Sequence, residues 1–280
     1  MKILITGANG QLGTELRQLL DKRGVVYMAT DSKQLDITKK MAVDTYFETN
    51  RPDIVYDCAA YTAVEAAEEE PGKTVNYAVN VSGTRNLAQA AEKIRATLVY
   101  ISTDYVFDGT KSDMYLETDA VSPKNEYGLA KYQGEQVVRE LMSRYYIIRT
   151  SWVFGEYGNN FVFTMMKLAK THDKLTVVND QIGRPTWTKT LAEFMSYAVE
   201  EKLAYGLYQL SNDDSCSWYD FACEILKDTQ VQVEPVDSTA FPQKAYRPKH
   251  SVMSLDKVKA TGFEIPTWQK ALRSFKINLK

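Results

Sequence analysis

The segment Thr6-Gly7-Ala8-Asn9-Gly10-Gln11-Leu12-Gly13 separates a short aliphatic run, Lys2 to Thr6, from an amphipathic stretch, Gln11 to Lys22. Glycines at this spacing permit a tight turn, let the backbone approach a pyrophosphate, and let a helix pack close to the strand before it. The helix start then offers free N–H groups and the positive end of its dipole to an anion. The spacing is G-x-x-G-x-x-G rather than G-x-G-x-x-G. A glycine-rich turn without a ligand is the alternative, and the place of this one at the first strand–helix junction favours the phosphate reading.

The alternation begun there continues through the first half of the chain. Strands are expected at Lys2 to Thr6, Val25 to Thr30, Ile54 to Asp57, Leu98 to Ser102 and Tyr145 to Arg149. Helices are expected at Gln11 to Lys22, Lys39 to Asn50, Thr74 to Lys93 and Glu126 to Met142. Gly24 is a stop for the first helix, Thr38 a cap for the second, and Pro71 an opening for the third. Such an alternation gives parallel βαβ units. The fold class is therefore α/β, a Rossmann-like doubly wound parallel sheet.

After about residue 150 the rhythm loosens. A loop with Gly155, Gly158, Asn159 and Asn160 precedes a helix at Phe161 to Lys170 and an apolar run at Leu175 to Val178. A helix at Leu191 to Lys202, a strand at Leu207 to Leu210, and helices near Trp218 to Lys227 and Thr267 to Phe275 follow. This reads as a smaller mixed α/β domain over 151–280, interwoven with a cofactor-binding domain over 1–150 that is rejoined by about 175–203.

Composition narrows the function. Lys plus Arg number 34 against 36 Asp plus Glu in 280 residues, a formal net charge of −2 that gives nucleic acid no footprint. No stretch approaches the ~20 apolar residues that span a bilayer, and the opening Met1 to Gly7 breaks before a signal-peptide core forms. A cytoplasmic protein with no membrane partner is expected. Cys58, Cys216 and Cys223 form no C-x-x-C pair, and the two histidines are His172 and His250, so a zinc site is not expected. The cysteines read as buried thiols. The acidic group Glu65, Glu68, Glu69 and Glu70 reads as a solvated face.

Asp31 ends the second strand about twenty residues past the glycines, where a carboxylate bonds an adenosine ribose. An acid there favours NAD, whereas Ser32 and Lys33 after it suit a 2′-phosphate, and NADPH versus NADH stays open. Tyr127 and Lys131 stand at i and i+4 near a helix start, so that the ammonium is expected to lower the pKa of the phenol. Such a pair alone is commonplace on helices. Ser102-Thr103-Asp104 ends the fourth strand, on the edge where doubly wound sheets bind ligands, and lets Thr103 bond the same substrate oxygen.

These residues together resemble the extended short-chain dehydrogenase/reductases: T-G-x-x-G-x-x-G, a Ser/Thr after the fourth strand, and Y-x-x-x-K. Arg51-Pro52-Asp53, Ala59-Ala60-Tyr61-Thr62-Ala63-Val64, Ser102 to Gly109, Arg149 to Phe154 and Asn179 to Thr186 narrow the resemblance to the dTDP-4-dehydrorhamnose reductases, almost end to end. The resemblance implies reduction of the C4 ketone of dTDP-4-dehydro-L-rhamnose to dTDP-L-rhamnose, the last step in making this cell-wall sugar donor. It implies Tyr127 as proton donor, Lys131 as its electrostatic partner and ribose anchor, and Thr103 as a tuning hydrogen-bond donor. Gly7, Gly10, Gln11, Leu12, Asp31, Asp36, Ile37, Ala60, Tyr61 and Thr62 are implied as cofactor contacts. Asp104 and Val106 are implied near the sugar, Trp152 on its ring, and Asn160 and Arg247 toward the diphosphate. Tyr105 after Asp104 disfavours the related dehydratases, which resemble T-D-E there.

Some reductases of this kind are magnesium-linked dimers through acidic side chains beside the G-x-P-T segment and at the carboxyl terminus. Here those places read Trp187-Thr188-Lys189 and Lys270 to Lys276, the latter basic. Hard cations want carboxylate oxygens, so no metal is expected, and the chain is expected to be a monomer or weak homodimer. Two other readings share the motifs. One is a regulatory subunit similar to the beta subunit of methionine adenosyltransferase, and the other is a nucleotide-sugar 4-epimerase or related oxidoreductase.

Overall fold

The computed structural model describes residues 1–279. The first half runs β1 (Ile3–Thr6), α1 (Gln11–Lys22), β2 (Met28–Ala29), α2 (Lys40–Asn50), β3 (Ile54–Asp57), α3 (Gly72–Tyr77), α4 (Thr84–Lys93), β4 (Thr97–Thr103), α5 (Glu126–Leu141) and β5 (Tyr145–Thr150). The second half adds β6 (Val153–Phe154), α6 (Phe161–Leu168), β7 (Lys174–Val178), β8 (Ile182–Gly183), β9 (Thr186–Trp187), α7 (Thr188–Glu200), β10 (Gly206–Gln209), β11 (Cys216–Ser217), α8 (Trp218–Leu226), β12 (Gln232–Val236), α9 (Asp256–Lys259) and α10 (Trp268–Asn278).

Six parallel strands form one sheet in the order β2-β1-β3-β4-β5-β10. β1 and β3 are buried along their whole length, because helices cover both faces. On one face α1 and α7 pack Leu16, Leu20, Leu191, Phe194 and Met195 against Ile3, Ile5 and Val99. On the other, α2, α4 and α5 bring Val43, Phe47, Leu87, Ala91 and Val138 onto Leu4, Val55, Leu98 and Tyr100. A third apolar cluster, with Phe154, Val162, Leu175, Phe221, Ile225, Trp268 and Phe275, is the core of the smaller lobe. The strand order reverses at β1 and β3, and the crevice beyond their carboxyl ends is where such a sheet receives ligands.

Several local expectations need correction. Only Met28 and Ala29 of the expected second strand pair with β1, since this is the sheet edge and Val26 stands 87% exposed. Thr38 does not cap α2: its hydroxyl donates to Asp36 at 2.7 Å, and the helix starts after Lys39 without a side-chain cap. The expected third helix begins earlier, at Gly72 after Pro71, and a π-helical turn over Ala78–Gly83 interrupts it. That turn carries Asn80, whose amide donates to Tyr61 O at 2.9 Å and accepts from Tyr61 N at 3.2 Å. The irregular turn thereby fastens the loop after β3. Gly24 adopts φ 66° just past α1, the left-handed stop that glycine makes easy. Of the cysteines, Cys216 is buried, while Cys58 and Cys223 are only partly so.

Candidate active site

A cleft of about 630 Å³ opens over the carboxyl ends of β1, β3, β4 and β5, between the sheet and the smaller lobe. The glycine turn forms one wall. A Cβ on Gly7, itself at φ 61°, would meet Ala59 N at 2.5 Å, and one on Gly13 would meet Gly7 O at 2.4 Å. Turn, strand and helix are therefore too close for side chains at these two positions. Gly10 caps α1 without a side chain, so the first helical amides beside Gln11 and Leu12 are left for an anion. This cradle fits a dinucleotide pyrophosphate. Asp31 lies outside the cleft at the end of the β2 segment, where it accepts from Asn9 Nδ2 at 2.8 Å and from the amides of Lys33 and Gln34 at 2.9 and 3.1 Å. These bonds hold its carboxyl below the usual range.

The reacting groups come from β4 and α5. Asn125 caps α5 by accepting from Gly128 N at 2.7 Å, which sets Tyr127 in the first turn. Gly128 is required by contact: a Cβ there would meet Tyr105 O at 2.3 Å, so α5 rests on the turn that follows β4. In that turn Thr103 Oγ1 accepts from Tyr105 N at 3.2 Å and donates to Asp104 Oδ1 at 3.2 Å. Thr103, Asp104, Tyr127 and Lys131 all line the cleft with Gly10, Gln11, Leu12, Ala60 and Thr62.

The electrostatics differ from the expectation on one point. Burial pushes the Tyr127 phenol above its ordinary value, Asp104 and Tyr105 add to the rise, and the Thr103 hydroxyl partly offsets it. The Lys131 ammonium, whose Nζ lies 4.0 Å over the Tyr100 ring, does not overcome that rise. Lys131 is 2% exposed, and burial brings it down to about 8 against the opposing charges of Asp57 and Glu135. Burial lifts Asp104 to about 6, with Ser251 and Thr103 pulling it back. Asp104 Oδ2 and Asp57 Oδ2 are buried without partners at this cleft, two acceptors that suit ligand hydroxyls.

Other residues fall further from the cleft. Asp36 accepts from Thr38, and Ile37 is buried against Gly83. Tyr61 faces a neighbouring groove beside Glu65 and Gly72. Val106, expected near the sugar, has its side chain wholly buried with Phe107 and Tyr115 behind the cleft-lining Asp104 and Tyr105. Asn160 caps α6 and donates to Gln11 Oε1 at 2.9 Å, tying the smaller lobe to the glycine turn. Trp152 and Arg247 line the cleft.

The acidic run is exposed at Glu69 and Glu70 and half-buried at Glu65 and Glu68, and it makes bonds across the fold as well as meeting solvent. Glu65 Oε1 accepts from Arg247 Nη2 at 2.6 Å and Glu65 Oε2 from Lys244 N at 2.9 Å, Glu68 accepts from Glu126 N at 2.8 Å, and Glu70 accepts from Thr74 Oγ1 at 2.6 Å. Asp57 and Trp218 line the cleft, Glu65 holds Arg247 and Asn80 holds the loop after β3, and the sequence revealed none of these roles. Asp57 and Glu65 flank the Ala59 to Val64 segment and Trp218 is in the tail, which is all that hinted at them.

The chain matches the family described as RmlD substrate binding domain over residues 1–279. It is 40% identical to a dTDP-4-dehydrorhamnose reductase of Aggregatibacter actinomycetemcomitans, over 98% of each chain. Among solved structures it is similar to a dTDP-4-dehydrorhamnose reductase from Clostridium acetobutylicum (TM-score 0.96, 44% identity, 100% of this chain and 99% of that one). A dTDP-4-dehydrorhamnose reductase from Bacillus anthracis in complex with NADP superposes with TM-score 0.95 at 42% identity, over 99% of each chain.

Proposed function

The chain belongs to the dTDP-4-dehydrorhamnose reductase family, and on that premise we propose that its cleft reduces the C4 ketone of dTDP-4-dehydro-L-rhamnose to dTDP-L-rhamnose with NADPH or NADH. One observation carries the reading: Thr103, Tyr127 and Lys131 converge on the same cleft as the uncapped start of α1.

A dihydronicotinamide held in this cleft would supply the hydride for C4. Tyr127 gives its phenolic proton to the ketone oxygen, and its raised pKa keeps that proton in place at neutral pH. Lys131 stabilises the phenolate left behind, and the Thr103 hydroxyl, turning from Asp104 Oδ1, donates to the ketone oxygen. Asp104 Oδ2, buried and unpaired, accepts a sugar hydroxyl. Trp152 packs on the sugar ring and Arg247 faces the diphosphate, groups suited to an apolar ring face and a dianion. Gly7, Gly10, Gln11 and Leu12 hold the pyrophosphate, while Asp31, with Asp36, Ile37, Ala60, Tyr61 and Thr62 nearby, holds the adenosine side.

In this reading residues 1–150 bind the cofactor and residues after 151 mainly bind the nucleotide sugar. No helix among the described residues is long and apolar enough to cross a membrane. We assign the protein to the cytoplasm as a monomer or weak homodimer that uses no metal and no nucleic acid.

The test is the loss of NADH and, separately, NADPH absorbance when the protein meets dTDP-4-dehydro-L-rhamnose, with EDTA and magnesium arms. Sugar-dependent oxidation, alike in both arms and lowered about 10²–10⁴-fold by Tyr127→Phe, is expected for a general acid. Folded protein that binds the cofactor but leaves it unoxidised would overturn the reading.

A further inference from the structure

The Trp152 indole lies face to face on Trp218, with ring centroids 3.6 Å apart and planes 10° from parallel. Phe161, the first residue of α6, packs on Trp218 with centroids 4.6 Å apart. Over the Nε1–Cζ2 rim of the Trp152 ring, a Cβ on Gly183 would come within 2.6 Å of Cε2, so the lack of a side chain there leaves room for the indole. The Trp152 backbone sits at φ 45°, a left-handed conformation that a bulky residue adopts only when its surroundings impose it. Trp218 is itself held fast. It is the first residue of α8, whose start is fixed by the reciprocal bonds of Ser217 and Asp220, and the buried residues of that helix, Phe221 and Ile225, anchor it in the smaller lobe. Both indoles border the cleft.

With one face of Trp152 covered by Trp218, a ligand in the cleft can stack only on the part of the opposite face that Gly183 leaves open. We propose that Trp218 is a positioning residue of the sugar subsite: by stacking on Trp152 it fixes the plane against which the deoxyhexose rests, and so transmits the placement of α8 to the substrate. The inference rests on the reading that Trp152 packs on the sugar. It makes the tightness of the sugar contact a property of the smaller lobe, while the cofactor and the diphosphate contacts stay independent of it.

The test compares dTDP-L-rhamnose with dTDP by calorimetric titration of the wild type, Trp218→Phe, Trp218→Ala, Trp152→Ala, the double alanine variant and Gly183→Ala. An aromatic pair of this kind is worth a few-fold to about tenfold in affinity. Trp218→Ala is expected to weaken dTDP-L-rhamnose by about five- to tenfold, leave dTDP unchanged, and abolish the circular-dichroism couplet of two stacked indoles. Trp218→Phe restores most of the affinity. In the Trp152→Ala background the Trp218→Ala change should add nothing, because both act through one ring. Gly183→Ala should reproduce the loss by displacing Trp152, a second route to the same ring if Trp218→Ala folds poorly.

Equal losses for dTDP and dTDP-L-rhamnose, or a Trp218→Ala effect that persists without Trp152, would overturn the proposal. So would a wild type that binds dTDP-L-rhamnose no more tightly than dTDP. Absence of NADPH oxidation with the titration pattern intact would instead count against the reductase reading alone and support the stack.

Discussion

Glu135 and Arg149 form a bidentate ion pair beneath the active site, Nε to Oε1 at 2.8 Å and Nη2 to Oε2 at 2.7 Å, with side chains 0% and 1% exposed. Glu135 stands one helical turn after Lys131, and Ser102, next to Thr103, donates to the same carboxylate at 2.6 Å. The pair therefore joins α5 to the ends of β4 and β5 where the reacting groups emerge. Glu135→Ala would leave a guanidinium buried and unpaired, a loss of about 3–5 kcal/mol. Denaturant melts should show the midpoint falling with an unchanged slope.

The alkaline limb of activity should report Lys131. With its pKa at about 8, the ammonium loses its proton as pH rises through that value, and kcat/KM should fall there. Asp57 and Glu135 are the charges that face Lys131 and hold the proton on it. Asp57→Asn removes one of them, so the limb should move to lower pH. A limb that stays in place in this variant would show that Asp57 does not act on Lys131.

Glu15 gives a separate pH signature, in stability rather than activity. It lies on α1, 8% exposed, and burial, with Glu156 adding to it, raises its pKa to about 7, while Lys189, Lys22 and Thr188 oppose the rise. Between about 4.5 and about 7 the folded chain holds a proton that the unfolded chain has lost. Stability from this group therefore declines as pH rises through that window. Glu15→Gln should leave the melting temperature unchanged near pH 4 and raise it at pH 8, by the equivalent of about 1–3 kcal/mol.

Arg17 should bias the cofactor choice. Its Nη1 donates to Asn9 Oδ1 at 3.0 Å, Asn9 in turn bonds Asp31, and its Nε is buried without a partner. A guanidinium so placed, one residue removed from the ribose carboxylate, matches a 2′-phosphate. Arg17→Met should raise the KM for NADPH about tenfold, as loss of a charge-assisted bond does, and change that for NADH little.

The parts of this molecule that local chemistry dictates were legible in its residues. The parallel strands, the glycine turn and the helix carrying Tyr127 and Lys131 each announce themselves by period, by glycine spacing or by i, i+4 placement. What escaped depends on distant segments meeting. Nothing near Glu65 in the sequence names Arg247, and nothing near Trp152 names Trp218, since each pair is made by the folding of the tail onto the sheet. The direction of the Tyr127 shift escaped for a related reason. Spacing puts an ammonium one turn away, but it does not say that Tyr100 lies beneath that ammonium or that burial outweighs the cation.

Arg247 has all three of its nitrogens engaged, with Gln243 at 2.8 Å, the Tyr105 hydroxyl at 2.7 Å and Glu65 at 2.6 Å. Should the diphosphate come to this guanidinium, it would take the place of an anion that the protein already provides. Binding is then an exchange, its affinity set by the difference between two ion pairs rather than by the making of one. Dissolved salt weakens the outgoing pair as well as the incoming one, so the ligand would be held with less sensitivity to ionic strength than its charge implies. The amides of Lys244 and Ala245 lean on the other oxygen of the same carboxylate, so Glu65 would stay fastened to the loop that borders the entrance while Arg247 changes partner.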